Sequence, residues 1–188
     1  ERRAPKDEPT PEPKGKPKEP RLDPRLEPFR RAMDGRASVL VEVERADEIL
    51  DCVNAFASVG IAPVLVGAGD ALLVADAIRG RIAGVLPAPT IVRFEAQTGT
   101  TPHAPYAELQ NAGIPVAFRS LAEEGAVDLP IAAAYAVSQG MSASGALRAL
   151  TFDAARMLSI GDRVGRIAVG LDGDVLVLDG PPLAPATR

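Results

Sequence analysis

The stretch Ser38-Val39-Leu40-Val41-Glu42-Val43, followed by Ala46 to Val59 and then by Ala62-Pro63-Val64-Leu65-Val66-Gly67, reads as strand, helix and strand in succession. The first and last segments are short and rich in Val and Leu, as buried strands are. The middle one places Ile49, Leu50, Val53 and Phe56 on one helical face and ends at Gly60. The unit repeats downstream. A helix is expected over roughly Asp70 to Arg79 and a strand over Ile82-Ala83-Gly84-Val85-Leu86. An irregular loop then runs through His103, followed by a helix around Tyr106 to Asn111 and a strand over Gly113-Ile114-Pro115-Val116-Ala117-Phe118. Strands and helices alternating through short connections indicate parallel βα units, so the fold class is α/β.

Upstream, residues 1–28 alternate Pro, Lys, Glu and Arg with almost no apolar residue before Leu22. Such a segment cannot bury enough surface to offset its ordering entropy, and it reads as a linker or surface excursion. Pro17 and Pro20 give a PxxP spacing, which arises readily in a segment this rich in proline. Leu26, Phe29 and Met33 then recur at helical spacing.

Composition narrows the function classes. At 188 residues and 46% apolar the chain can bury a core, and with aromatics at only 4% the packing rests on Ala, Val, Leu and Ile. A net charge of −4 argues against nucleic acid as the main partner, because phosphate backbones need a concentrated basic face. No run of eighteen apolar residues suggests a membrane span. The single cysteine, Cys52, has no partner for a disulfide or a zinc cluster and reads as a structural residue in an apolar helix. One cysteine suits a reducing cytosol and does not exclude export. The chain opens on Glu1 instead of Met, so the expectation is a piece of a longer product.

Four spaced blocks carry a family resemblance. They are Ala146-Leu147-Arg148-Ala149-Leu150-Thr151, Ala154-Ala155-Arg156-Met157-Leu158, Gly161-Asp162-Arg163-Val164-Gly165-Arg166-Ile167, and Gly170-Leu171-Asp172-Gly173-Asp174-Val175-Leu176-Val177-Leu178-Asp179-Gly180. In this order they resemble the ending of the amidohydrolase superfamily, metal-dependent hydrolases that mostly attack C–N bonds of amides and cyclic amides. Val41 to Leu50 is similar to the "VHAHRADDI" segment of its imidazolonepropionase-like subgroup, and Gly113 to Leu121 to the family's "GVPVALGSD". The resemblance implies the second half of a (β/α)8 TIM-type barrel plus C-terminal strands of a small appended β-domain. Residues 29–160 would form four βα units and the terminal helices, and residues 161–188 a strand pair and tail. Four strands cannot close a barrel. The expected partners are therefore the upstream half of the same barrel or a companion chain, and the expected assembly is a homo-oligomer.

The same resemblance implies zinc or another divalent metal, held at the C-terminal ends of the strands. Glu42 stands where the family's fifth strand places a histidine ligand, and Leu121 where its eighth strand places the aspartate that binds metal and takes a proton from water. Leucine can do neither. A catalytic zinc takes three protein ligands and an open position, whereas this chain offers Glu42 as the one candidate metal ligand. Glu44, His103 and Arg119 are the other candidates near the barrel mouth. His103 is the only imidazole in the chain and has no carboxylate or thiol nearby in sequence. Arg119 brings a cation where the family usually keeps glycine.

Other signals are weaker. Gly67-Ala68-Gly69 follows a strand as a dinucleotide-binding turn would, but Leu72 stands where the third glycine should be, and a tight strand-to-helix turn explains both glycines. Glu123 and Glu124 read as solvated, and Asp128 is placed to cap a helix beginning at Leu129-Pro130. The sequence thus points to a degenerate, non-catalytic barrel half that keeps the scaffold. The alternative is an active metal-dependent hydrolase completed by upstream residues or a partner chain. An unrelated α/β binding domain would make the four blocks a coincidence.

Overall fold

Local sequence decides where the parallel strands begin and end. A computed structural model describes residues 23–88, 92–95, 99–102, 105–120 and 125–184. β1 (Leu40–Val43), β2 (Val64–Gly67) and β3 (Gly84–Pro87) form one parallel sheet in that order, with Leu40 opposite Val64 and Val64 opposite Gly84. Side chains alternate across the sheet. Val43, Leu65 and Val85 pack on one face against α2 (Ala46–Ala57), whose Ile49 and Val53 are fully buried. On the other face Val64 and Leu86 meet Ala117, Ala154 and Met157.

α2 starts where the sequence predicts, and its first turn is held from both directions. The Glu48 carboxylate accepts from the Glu44 and Arg45 backbone N–H groups at 3.2 Å, and Asp70 accepts from the N–H of Ala46 at 3.1 Å. That use of Asp70 helps explain one correction. The helix expected over Asp70 to Arg79 is instead a 3-10 turn, Ala71–Val74, followed by a single α-turn, α3 (Ala75–Ile78). Asp70 caps its neighbour and makes no side-chain cap of its own.

The loop expected through His103 contains a two-stranded antiparallel ribbon, β4 (Val92–Glu95) with β5 (Gly99–Pro102), while His103 itself lies outside the described residues. α4 (Tyr106–Asn111) follows as predicted. The strand expected at Gly113 to Phe118 is reduced to one parallel bridge, Val85 with Val116. Pro115 lacks an N–H, so it accepts from Val85 at 2.9 Å and donates nothing, and no described strand lies on its outer side.

Tyr106 is buried and stacks on Phe118, with ring centroids 4.4 Å apart. Burial pushes its phenol up to about 12, against the opposing influence of the nearby Arg119 charge. The unfolded chain would ionise this phenol near pH ~10. Its stabilising contribution is therefore complete below pH ~10 and is lost as pH rises through the folded value. Urea midpoints should fall over that window, and Tyr106→Phe should flatten the fall.

α5 (Leu129–Ser138), α6 (Ala143–Leu150) and α7 (Phe152–Met157) close the chain's core. Ser142 caps α6 by accepting from Gly145 N–H at 3.0 Å. Asp128 precedes α5 but its side chain makes no cap bond, because its own backbone is already helical. Met157 lies so close to Gly84 that a Cβ there would overlap its Cε.

Both ends differ from expectation. Helix α1 (Glu27–Met33) reaches into the segment read as linker, and Leu26, Phe29 and Met33 stand exposed on it. The strand pair expected within 161–188 is absent from the described residues 161–184, where Arg163 and Asp172 close a turn by a 2.7 Å ion pair. Ile167, Val169, Leu176 and Val177 are exposed there, with no adjacent strand among the described residues to pair with them.

Candidate functional site

The C-terminal ends of the parallel strands gather most of the candidates, but each is used differently. Glu42 lies on the face away from α2, in one row with Val66 and Leu86 across the sheet. It is exposed and has no hydrogen bond or ion pair among the described residues. No Arg or Lys among the described residues pairs with it.

Glu44 is committed to the backbone. Its carboxylate accepts from the N–H of Gly69 at 2.9 Å, and its carbonyl accepts from the N–H of Asp70 at 3.0 Å. A Cβ at Gly67 would overlap the same carboxylate, and one at Gly69 would come within 2.8 Å of it. Gly67 also has φ +82, which an L side chain adopts only with strain. The G-x-G spacing is thus a cradle for Glu44 that ties β1 to the turn after β2. The glycines were visible in the sequence; their partner, more than twenty residues upstream, carried no local signal.

Arg119 is half-buried and its Nε donates to the Pro87 carbonyl at 3.2 Å, fastening the fourth segment to the end of β3. Cys52 is half-buried beside the core, where desolvation pushes its thiol pKa up and suits it to packing more than to nucleophilic attack. His103, Leu121, Glu123 and Glu124 lie outside the described residues.

These groups do not form a metal donor set. Among the described residues no three His, Cys, Asp or Glu side chains come together. Glu42 is followed in its row by two hydrocarbons, Val66 and Leu86, and Glu44 is turned into its glycine cradle. A divalent metal needing three protein ligands does not fit what is present.

Two clefts lie near the opposite ends of the strands. One, of about 510 Å³, is lined by Gly35, Arg36, Arg156, Ser159, Gly161 and Asp162. The other, of about 400 Å³, lies beside Ile114 and Pro115, with Ser142, Arg148, Asp153 and Arg156 in its wall. Arg156 faces both. Sequence reasoning did not single out this region, because its residues come together only through the α6–α7 corner.

The family model described as "Amidohydrolase family" matches residues 98–187. No curated protein matches the chain. Its structure is similar to the crystal structure of an amidohydrolase from Thermotoga maritima MSB8, with a TM-score of 0.74 at 21% identity, covering 89% of this chain and 44% of that one. The chain therefore spans less than half the length of that structure. At such identity the likeness speaks for the fold.

Proposed function

We propose, on the premise that the chain belongs to the amidohydrolase superfamily, that it is the later half of a (β/α)8 barrel which keeps the scaffold and has lost the metal chemistry. The observation that carries this reading is the row Glu42–Val66–Leu86: one carboxylate followed by two side chains that can neither ligate a cation nor move a proton. Leu121, at the position the resemblance assigns to the proton-transferring aspartate, has the same incapacity.

Without that carboxylate a water at the strand ends has no base from this half. What the chain's own residues do there is structural: Glu44 locks β1 to the following turn, and Arg119 ties the fourth segment to β3. The other half of the barrel would come from upstream sequence or a companion chain. The function that remains is to support binding or assembly.

Metal content tests this directly. The protein purified without chelators together with the upstream sequence or companion chain that completes the barrel should carry divalent metal near background by inductively coupled plasma mass spectrometry, and Glu42→Ala should change nothing. Near-stoichiometric zinc that falls in Glu42→Ala would overturn the reading and return the protein to the active hydrolases.

A further inference from the structure

Three guanidinium groups converge on one aromatic ring at the α6–α7 corner. Arg148, Arg156 and Arg166 place their Cζ atoms 5.3, 5.7 and 5.6 Å from the centroid of Phe152. Arg156 comes from the same helix as Phe152, four residues on, and Arg148 from the end of α6. Arg166 arrives from the segment beyond α7, which passes so close at Gly165 that a Cβ there would lie 2.7 Å from that of Ala155.

One carboxylate answers this charge. Asp153 pairs with Arg148 at 2.9 Å, while Arg156 and Arg166 form no salt bridge among the described residues. Each cation–π contact at an exposed site contributes only about 0.5–1 kcal/mol. Repulsion between the neighbouring like charges offsets part of that gain. The ring thus tolerates the cluster without neutralising it. A guanidinium lying over a ring keeps its N–H edge free, and those edges are the donors that grip oxyanions.

We propose that Arg148, Arg156 and Arg166 form a binding site for a phosphate group, free or carried on a small organic molecule, with the adjoining cleft at Ser142 and Ile114 holding the rest of the ligand. Three guanidinium groups around one ring, two of them without a salt bridge among the described residues, leave an excess of positive charge that a tetrahedral dianion would balance. Gly161 keeps Arg156 in place, since a Cβ there would press on its Cγ at 3.2 Å. The site lies apart from Glu42 and does not depend on whether metal chemistry is lost.

Equilibrium dialysis against radiolabelled inorganic phosphate in Tris chloride tests it, with the chain co-expressed with a segment that continues its sheet at β1 and that segment alone as blank. Saturable binding is expected, weakened by about tenfold in Arg156→Gln and in Arg166→Gln, with partial recovery in the lysine variants, which keep charge but not the fork. Acetate should not compete. Displacement by glycerol phosphate would assign the site to a phosphomonoester and failure to displace would assign it to the free ion, both in keeping with the proposal. No saturable binding by the wild type would overturn it. So would unchanged binding in the double glutamine variant, or loss of binding in the lysine variants accompanied by a lost helical circular dichroism spectrum, which would make the arginines structural.

Discussion

Gly165→Ala is expected to destabilise the fold by about 2–4 kcal/mol, read as a lower urea midpoint against the parent in the same buffer and assembly state. Gly165 has φ +96, and a Cβ there would also approach the Thr151 carbonyl at 3.0 Å and the Phe152 Cα at 3.1 Å. Two of those three atoms are backbone, so the collision cannot be relieved by a rotamer change. Gly170 supplies the control. Its φ is +88 but nothing lies within 4 Å of its Cβ position. Gly170→Ala should therefore cost only the backbone strain, about 1 kcal/mol. The difference between the two variants isolates the packing of the tail against the α6–α7 corner. Equal costs would mean that the tail does not sit on that corner, and the placement of Arg166 over Phe152 would go with it.

What could be read in the sequence divides along the same line between local and distant causes. β1, α2, β2 and α4 were legible because apolar period, a stop glycine and short connections act within a few residues. The third helix was misread because Asp70 serves Ala46 across the sheet edge instead of its own helix. Pro115 carried a warning against a full strand at Gly113 to Phe118, since a residue without an N–H cannot sustain a ladder. The expected C-terminal strand pair failed for another reason. Val175 to Leu178 has strand composition, but composition cannot supply a partner, and none is found among the described residues. At the site, Glu42 and Leu121 could be read as standing where the resemblance expects a histidine and an aspartate, and of the two only Glu42 is among the described residues. The Glu44 cradle and the arginine cluster were not legible, because each is assembled from segments whose approach is set by glycines rather than by any motif.

Expressed alone, the 188-residue chain should be oligomeric or poorly soluble, with little monomer in sedimentation velocity runs at about 10 µM. β1 ends the sheet with its outer backbone groups unpaired by any described strand, and Leu40 on it is 47% exposed. An uncovered edge of this kind is a template for pairing with another chain. Just before it in the chain, α1 presents Leu26, Phe29 and Met33, each at least 60% exposed, on a helix with no buried residue at all. A seven-residue helix in that state has almost nothing to hold it unless something covers its apolar side. Exposed Val175 to Leu178 adds a further apolar segment at the other end of the chain. Three unpartnered apolar surfaces exceed what a stable monomer usually leaves open. Co-expression with a segment able to continue the sheet at β1 should raise the soluble yield, whereas a carrier fusion alone should leave soluble aggregates. A well-behaved monomer would remove the reason for placing this chain in a larger barrel, because its edges would then have to be closed by its own residues.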